Sequence, residues 1–459
     1  MRTTSLPRSV FFMACGAIAA ACVSGGSGPG DEVVQGEGSA GKRAFAGATQ
    51  VTPPSGAGAA GNHVVGTAGG PASSGGAPST SVAGSTSGAG KAGAGSGGKA
   101  STGGASGSGS SSGSGGSAGA APPTAGCTPP TTYTNLFVTL SGHTQAESDA
   151  KVTAAWNQLF GGGANTVYYK GPGADESYVE DVANNDVRTE GQSYGMMIAV
   201  QLDHQAEFDR LWAFVKAHML SGKQIAWHTS TSGSKLATGG APDGDEYFAA
   251  ALVFAAKRWG DTSGKYNYTN EAKIVLDLVR TEDFNDKAKL VQFYAGSGNT
   301  DGSYVLPAFY QTWACFDTAN AAFWNDAVTA GRAFFKAAAD SNGVIGDQSS
   351  FTGQTQKGAG SDTVRCVMNI MMDHNFFNAD PWQETYASKY GAYQSKGAGS
   401  TAQLSCNGLL GFGLPAMTGK PFVDKLWSAA IPTGQYRYYD GTLYMLALLH
   451  VSGTFKLWY

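Results

Sequence analysis

The chain has 459 residues, enough for two or three domains, but its composition changes sharply around Cys127, and only the part beyond it can bury a core. Lys and Arg number 30 against 34 Asp and Glu, a net charge of −4 with no basic stripe. That balance argues against a nucleic-acid partner and suits a neutral polymer such as a polysaccharide.

In chain order, residues 1–22 place Arg2 and Arg8 ahead of an apolar run from Val10 to Ala21, too short to span a bilayer comfortably and shaped like a secretory leader. Cys22 follows Ala19, Ala20 and Ala21, as in a bacterial lipoprotein cleavage box, although the usual Leu three places earlier is missing. Two outcomes stay open: a lipid anchor on Cys22, or cleavage after the small residues and release of a soluble protein. Either makes the chain secreted or held at the cell surface. Residues 23–126 are dominated by Gly, Ser and Ala, with almost nothing to offset the entropy of ordering, and read as a disordered linker. Residues 127–459 are the expected folded domain, a monomer. Once Cys15 and Cys22 are assigned to the leader, Cys127, Cys315, Cys366 and Cys406 allow three complete pairings. No CxxC pair or clustered His and Cys spacing suggests zinc, and His374 and His450 stand singly in helical runs, so no metal and no cofactor is expected.

Beyond Cys127 the apolar periodicity predicts about twelve helices. Segments near 145–160, 205–220 and 270–282 mix charge with apolar residues at three and four spacing, as in QAEFDRLWAFVKAHML, and predict half-exposed helices. YGMMIAVQL, YFAAALVFAAKRW and LYMLALLHV are apolar nearly all round, which predicts helices covered on most sides. Alternation of the two kinds predicts an all-α fold of six antiparallel pairs, an inner ring inside an outer one. All inner helices then point the same way, and their N-termini share one rim.

Glu190 in RTEGQSYGMM, Asp243 in APDGDEYFAAAL and Asp362 in GSDTVRCVMN each open one of the inner helices. For any one of them a helix cap is the simpler explanation, and Asp243 with Glu246 resembles a capping box. Three on alternate helices, with Gly191, Gly195, Gly244 and aromatic residues around them, favour a site. Paired carboxylates are what cleavage of a glycosidic bond by one acid and one base requires. Asp301, Asp440, Tyr438 and Tyr439 are expected on the same rim. A helix N-terminus favours the ionised carboxylate, so an acid at Glu190 needs burial or the charge of Asp243 to raise its pKa.

At these residues the chain resembles glycoside hydrolase family 8, over most of 127–459. APDGDEYFAAALVFAAKRW resembles the family signature, departing at Pro242 and Phe248. DVRTEGQSYGMMIAVQLDHQAEFDRLWAFVKAHM and YRYYDGTLYMLALLHVSG are most similar to its reducing-end xylose-releasing exo-oligoxylanases. The resemblance implies an (α/α)6 barrel and an inverting hydrolase of β-1,4-linked xylan or xylo-oligosaccharides. Glu190 would be the general acid, Asp362 the general base, Asp243 the residue holding the distorted sugar, and Arg365 the group orienting the base. Ser361 and Val364 replace the Tyr and Trp that many members carry beside the base. Exo-acting members close one end of the cleft with a His-bearing loop late in the sequence, whereas no His lies between His374 and His450 here. Endo action, a glucanase or chitosanase of the same fold, and a glycan-binding surface protein without catalysis remain alternatives. Sugar platforms are expected among Trp227, Tyr194, Tyr247, Tyr304, Tyr310, Trp313 and Tyr439, because aromatic faces stack on pyranose rings. Trp227, in the loop-like AWHTSTSG, has the best case.

Overall fold

Local capping chemistry sets where the first helices begin. In the computed structural model, which describes residues 126–397 and 399–459, the Asn135 side chain accepts from the Val138 N–H to start α1 (Leu136–Thr139). Thr144 and Glu147 form a reciprocal capping box at the start of α2 (Gln145–Phe160). The leader and all of the linker except Gly126 lie outside the described residues.

After α2 come α3 (Thr189–Leu202), α4 (Gln205–Phe214), α5 (Pro242–Arg258), α6 (Tyr268–Leu278), α7 (Pro307–Phe316) and α8 (Ala321–Ala338). They are followed by α9 (Val364–Phe377), α10 (Trp382–Gln394), α11 (Thr401–Asn407), α12 (Ala416–Ser428) and α13 (Arg437–Val451). Helices α4 and α6 each run on into a π-helical turn, Val215–Met219 and Val279–Asp283. The odd-numbered helices from α3 onward are the buried set: α3 buries every residue from Thr189 to Gln201, and α5 every residue from Pro242 to Ala255. The even-numbered helices bury one stripe, as α8 does through Trp324, Ala327, Val328, Gly331, Phe334 and Phe335. This is the amphipathic pattern of an outer layer.

Helices α3, α5, α7, α9 and α11 pack side by side in that order, and α13 follows α11 and returns against α3. Each outer helix from α4 to α12 covers the inner helix before it, and α2 covers α13. The result is the closed double ring of an (α/α)6 barrel. Pro at the first turn of α5 and of α7 suits helix starts, where the missing N–H has no intrahelical partner.

Helical periodicity gives no sign of the short antiparallel strands, two to five residues long, in the inter-helix connections. The strand Asp186–Arg188 pairs with His228–Ser230 and runs straight into α3, and Asn299–Thr300 precedes Asp301. The cysteines also resolve differently from any complete pairing. Cys127 is bonded to Cys315 at the end of α7, and Cys366 and Cys406 are free and buried. The latter two sit within packed inner helices, where they act as small apolar side chains.

Candidate active site

Hydrogen bonds tie the starts of the inner helices together. The centre is Arg365 in the first turn of α9, with 1% of its surface exposed. Its Nη1 donates to Asp243 Oδ2 at 2.7 Å, to the Tyr194 hydroxyl at 2.9 Å and to Glu190 Oε2 at 3.2 Å. Its Nη2 lies 3.4 Å from Asp362 Oδ1. One guanidinium therefore gathers all three carboxylates, from α3, α5 and the turn before α9. Tyr438 donates to Glu190 Oε1 at 3.1 Å from the first turn of α13, and Tyr439 donates to the Ser361 carbonyl at 3.0 Å. The Arg365 guanidinium lies 5.7 Å from the Tyr304 ring centre, which adds the approach to α7. Asp440 Oδ1 accepts the Ala402 N–H at 3.2 Å and so joins α11 to α13.

Capping does not account for the three acids. The N-caps of α3, α5 and α9 are Arg188, Ala241 and Thr363, and none makes a side-chain capping bond. Asp243 spends Oδ1 on the neighbouring Gly244 N–H and Oδ2 on Arg365. Glu246 is no capping partner either: its Oε1 accepts from the Tyr310 hydroxyl at 2.7 Å.

Burial raises the Glu190 pKa to about 8, against the opposing charge of Arg365 and with help from the negative charges of Asp243 and Asp362. Asp362 is raised to about 6, again first by burial, opposed by Arg365 and assisted by Asp347 and Asp243. One cation cannot neutralise three carboxylates, so the cluster retains a proton near neutral pH, and Glu190 is the group that keeps it. Desolvation thus outweighs the pull of the helix N-terminus toward the ionised form, with Asp243 and Asp362 as secondary causes.

The expected platforms divide. Trp227 is half-buried, hydrogen-bonds through its carbonyl to the Thr189 N–H, and stacks on His228 with centroids 4.5 Å apart. The Arg188 guanidinium stands 5.9 Å from its ring centre, so Trp227 belongs to the rim beside Glu190. Tyr439 is partly exposed beside the loop that carries Asp362. Tyr194, Tyr247 and Tyr304 are buried, 1 to 3% exposed, and form the floor under the carboxylates. Tyr310 and Trp313 need correction as platforms. Both are fully buried in α7, Tyr310 bonded to Glu246 and Trp313 packed edge-on against Trp324. Helical spacing placed them on the right element, but at depths where no sugar face can reach.

Three further residues shape the site in ways that helix spacing does not signal. Asp347 accepts the Thr363 and Gly360 N–H groups at 3.1 and 3.0 Å and pairs with Lys357, fixing the turn that carries Asp362. Asp301 was expected on the rim, yet not as a buried carboxyl. Its Oδ1 accepts the Ser303 N–H at 2.7 Å, its Oδ2 has no hydrogen-bond partner, and burial drives its pKa well up. Tyr438 was expected on the rim only, and its bond to Glu190 carries no sequence signal beyond its place beside Tyr439. Among the described residues no group of three or more His, Cys, Asp or Glu is arranged to hold a metal.

A toroid of paired helices with a protonated Glu, a second raised carboxyl and a bridging Arg on one rim holds the groups that cleavage of a glycosidic bond by one acid and one base requires. The chain belongs to the glycosyl hydrolases family 8, whose profile matches residues 150–453. It is 34% identical to a reducing end xylose-releasing exo-oligoxylanase of Halalkalibacterium halodurans, over 71% of this chain and 95% of that protein. It is 29% identical to endoglucanase 2 of Ruminiclostridium josui, over 59% of this chain and 65% of that one. A crystal structure of a reducing-end xylose-releasing exo-oligoxylanase mutant complexed with xylobiose aligns with a TM-score of 0.67 at 32% identity, covering 71% of this chain and 98% of its own. The protein is a glycoside hydrolase.

Proposed function

We propose that the enzyme hydrolyses β-1,4-linked xylo-oligosaccharides or xylan with inversion at the anomeric carbon. Glu190 protonates the departing glycosidic oxygen, Asp362 takes a proton from the attacking water, and Asp243 holds the sugar at the cleavage point. The observation that carries this reading is the Arg365 bridge, with Glu190 raised to about 8 and Asp362 to about 6 on its two ends. Between those values Glu190 holds its proton while Asp362 has lost its own, the state an acid and base pair needs. Spanned by one guanidinium, the facing oxygens of Glu190 and Asp362 lie at most about 9 Å apart, which stays below the upper limit of the carboxyl spacing in inverting enzymes. The preference for xylose rests on the similarity to exo-oligoxylanases. Proton NMR of a fresh digest of xylohexaose tests the mechanism: an initial α-anomer is expected, and an initial β-anomer defeats it.

One observation favours endo action as a second reading. The connection from α10 to α11 spans only residues 395–400, and no His occurs between His374 and His450. That leaves no His-bearing barrier late in the chain. Product lengths decide: xylose released singly from the reducing end supports exo cleavage, and mixed oligomers from xylan or mixed-linkage glucan support endo cleavage. Export, and anchoring through Cys22, are proposed from the leader alone. Fatty-acid labelling of the mature protein tests the anchor, and an unlabelled product removes it.

A further inference from the structure

Glu190 has two oxygens with unlike neighbours. Oε2 faces Arg365 Nη1, a group that can only donate, so the proton of the neutral acid belongs on Oε1. Oε1 faces the Tyr438 hydroxyl at 3.1 Å. Tyr438 is 3% exposed, and its ring lies flush against the backbone of Gly191, leaving no room for a Cβ there. The phenol is thereby fixed between α13 and the first turn of α3. Burial and the neighbouring Glu190 charge keep Tyr438 protonated throughout the working range, so toward an ionised Glu190 it is a donor.

We propose that Tyr438 is a positioning residue for the general acid, aiming Oε1 at the leaving oxygen and donating a hydrogen bond to the carboxylate that proton transfer creates. This rests on Glu190 being the acid. In the step concerned, the proton on Oε1 moves to the glycosidic oxygen as the bond from that oxygen to the anomeric carbon breaks. Water adds to the anomeric carbon and gives its proton to Asp362. Glu190 is left ionised between two donors, Tyr438 on Oε1 and Arg365 on Oε2. Exchange with solvent then returns a proton to Glu190 and removes one from Asp362. The other groups that act on Glu190 are Asp243 from α5, Asp362 from the turn before α9, and Arg188 from the strand before α3. Asp243 and Asp362 disfavour the carboxylate, whereas Arg188, whose hydrogen bonds go to Asp186, favours it through its charge.

The test compares Tyr438→Phe with the parent on xylo-oligosaccharides and on a β-xylobiosyl fluoride, whose leaving group needs no protonation. Phe keeps the packing against Gly191. A bond to a charged acceptor is worth about 10- to 100-fold. The variant should lose that much in kcat on the oligosaccharide and stay within about twofold on the fluoride. Its alkaline limb should move up by about one pH unit, since tenfold in the equilibrium is one unit. Fluorotyrosine at 438, a stronger donor of nearly the same shape, should move that limb down. Equal losses on both substrates with an unmoved limb in both variants would overturn the role of Tyr438. Glu190→Gln on the same pair of substrates tests the underlying assignment separately: loss confined to the oligosaccharide supports the acid, and full activity on both removes the acid and this proposal together.

Discussion

Arg365 carries one positive charge against three carboxylates, and the protonation of that cluster decides what each residue does. Activity should rise as pH passes about 6, where Asp362 ionises, and fall as it passes about 8, where Glu190 loses its proton. A bell-shaped kcat/KM profile centred near neutrality is expected on xylo-oligosaccharides, and Asp362→Asn should abolish its acidic limb along with about 10²- to 10⁴-fold of the rate. The same shifts act on stability. Folded Glu190 keeps a proton that the unfolded chain has lost above about 4.5, so its contribution is full below that pH and drains away as pH rises toward about 8. Glu190→Gln should therefore melt higher than the parent at pH 8 and no higher at pH 4 by calorimetry. Activity and stability pull in opposite directions at this residue.

Among the helices, the site depends on how closely the inner starts approach one another. Gly244 in α5 faces Thr189 at the start of α3, where an added Cβ would lie 2.5 Å from the Thr189 Cβ and Oγ1. Gly244→Ala should force the two starts apart, costing about 1 to 3 kcal/mol as overpacking does. It should also draw Asp243 off Arg365, so that thermal midpoint and kcat fall together. At the far end of the inner ring, the Cys127–Cys315 bond joins the entry of the domain to the end of α7 across 188 residues of chain. Replacing both cysteines by Ser should cost about 2 to 5 kcal/mol in denaturant unfolding. Because the bond lies at the opposite end of α7 from the catalytic rim, kcat should be unchanged.

Across the whole molecule, composition separates residues 127–459 from a Gly-, Ser- and Ala-rich segment before them, and each part carries its own prediction. Removing residues 1–125 should leave kcat/KM on soluble xylo-oligosaccharides unaltered, because every site residue lies between Arg188 and Asp440. Removing only residues 23–125, with the leader at 1–22 kept, should lower turnover of insoluble xylan by whole cells, and fractionation with activity assays checks both halves. The ring architecture was legible because covered and half-covered helices differ in composition: YGMMIAVQL can only be an inner helix, QAEFDRLWAFVKAHML only an outer one. Legibility stopped at depth and at sequence-distant pairing. Tyr310 and Tyr304 look alike in sequence, yet one sits in the core and the other borders Arg365. The pairings of Asp186–Arg188 with His228–Ser230 and of Asn299–Thr300 with Ser349–Ser350, like the disulfide choice, join residues about forty to nearly two hundred positions apart, and no local pattern encodes them.

The sequence by itself determined the helix order, the shared direction of the inner ring and the three acids at its starts, because hydrophobic periodicity and helix-start chemistry are local. Only the tertiary structure decided that Arg365 lies against all three carboxylates, that Tyr438 donates to Oε1 of Glu190, and that burial more than neighbouring charge raises the Glu190 pKa. Those properties come from distances between groups as far apart as Glu190 and Tyr438, 248 residues along the chain, and from the exclusion of water around them. Both exist only once the ring has closed.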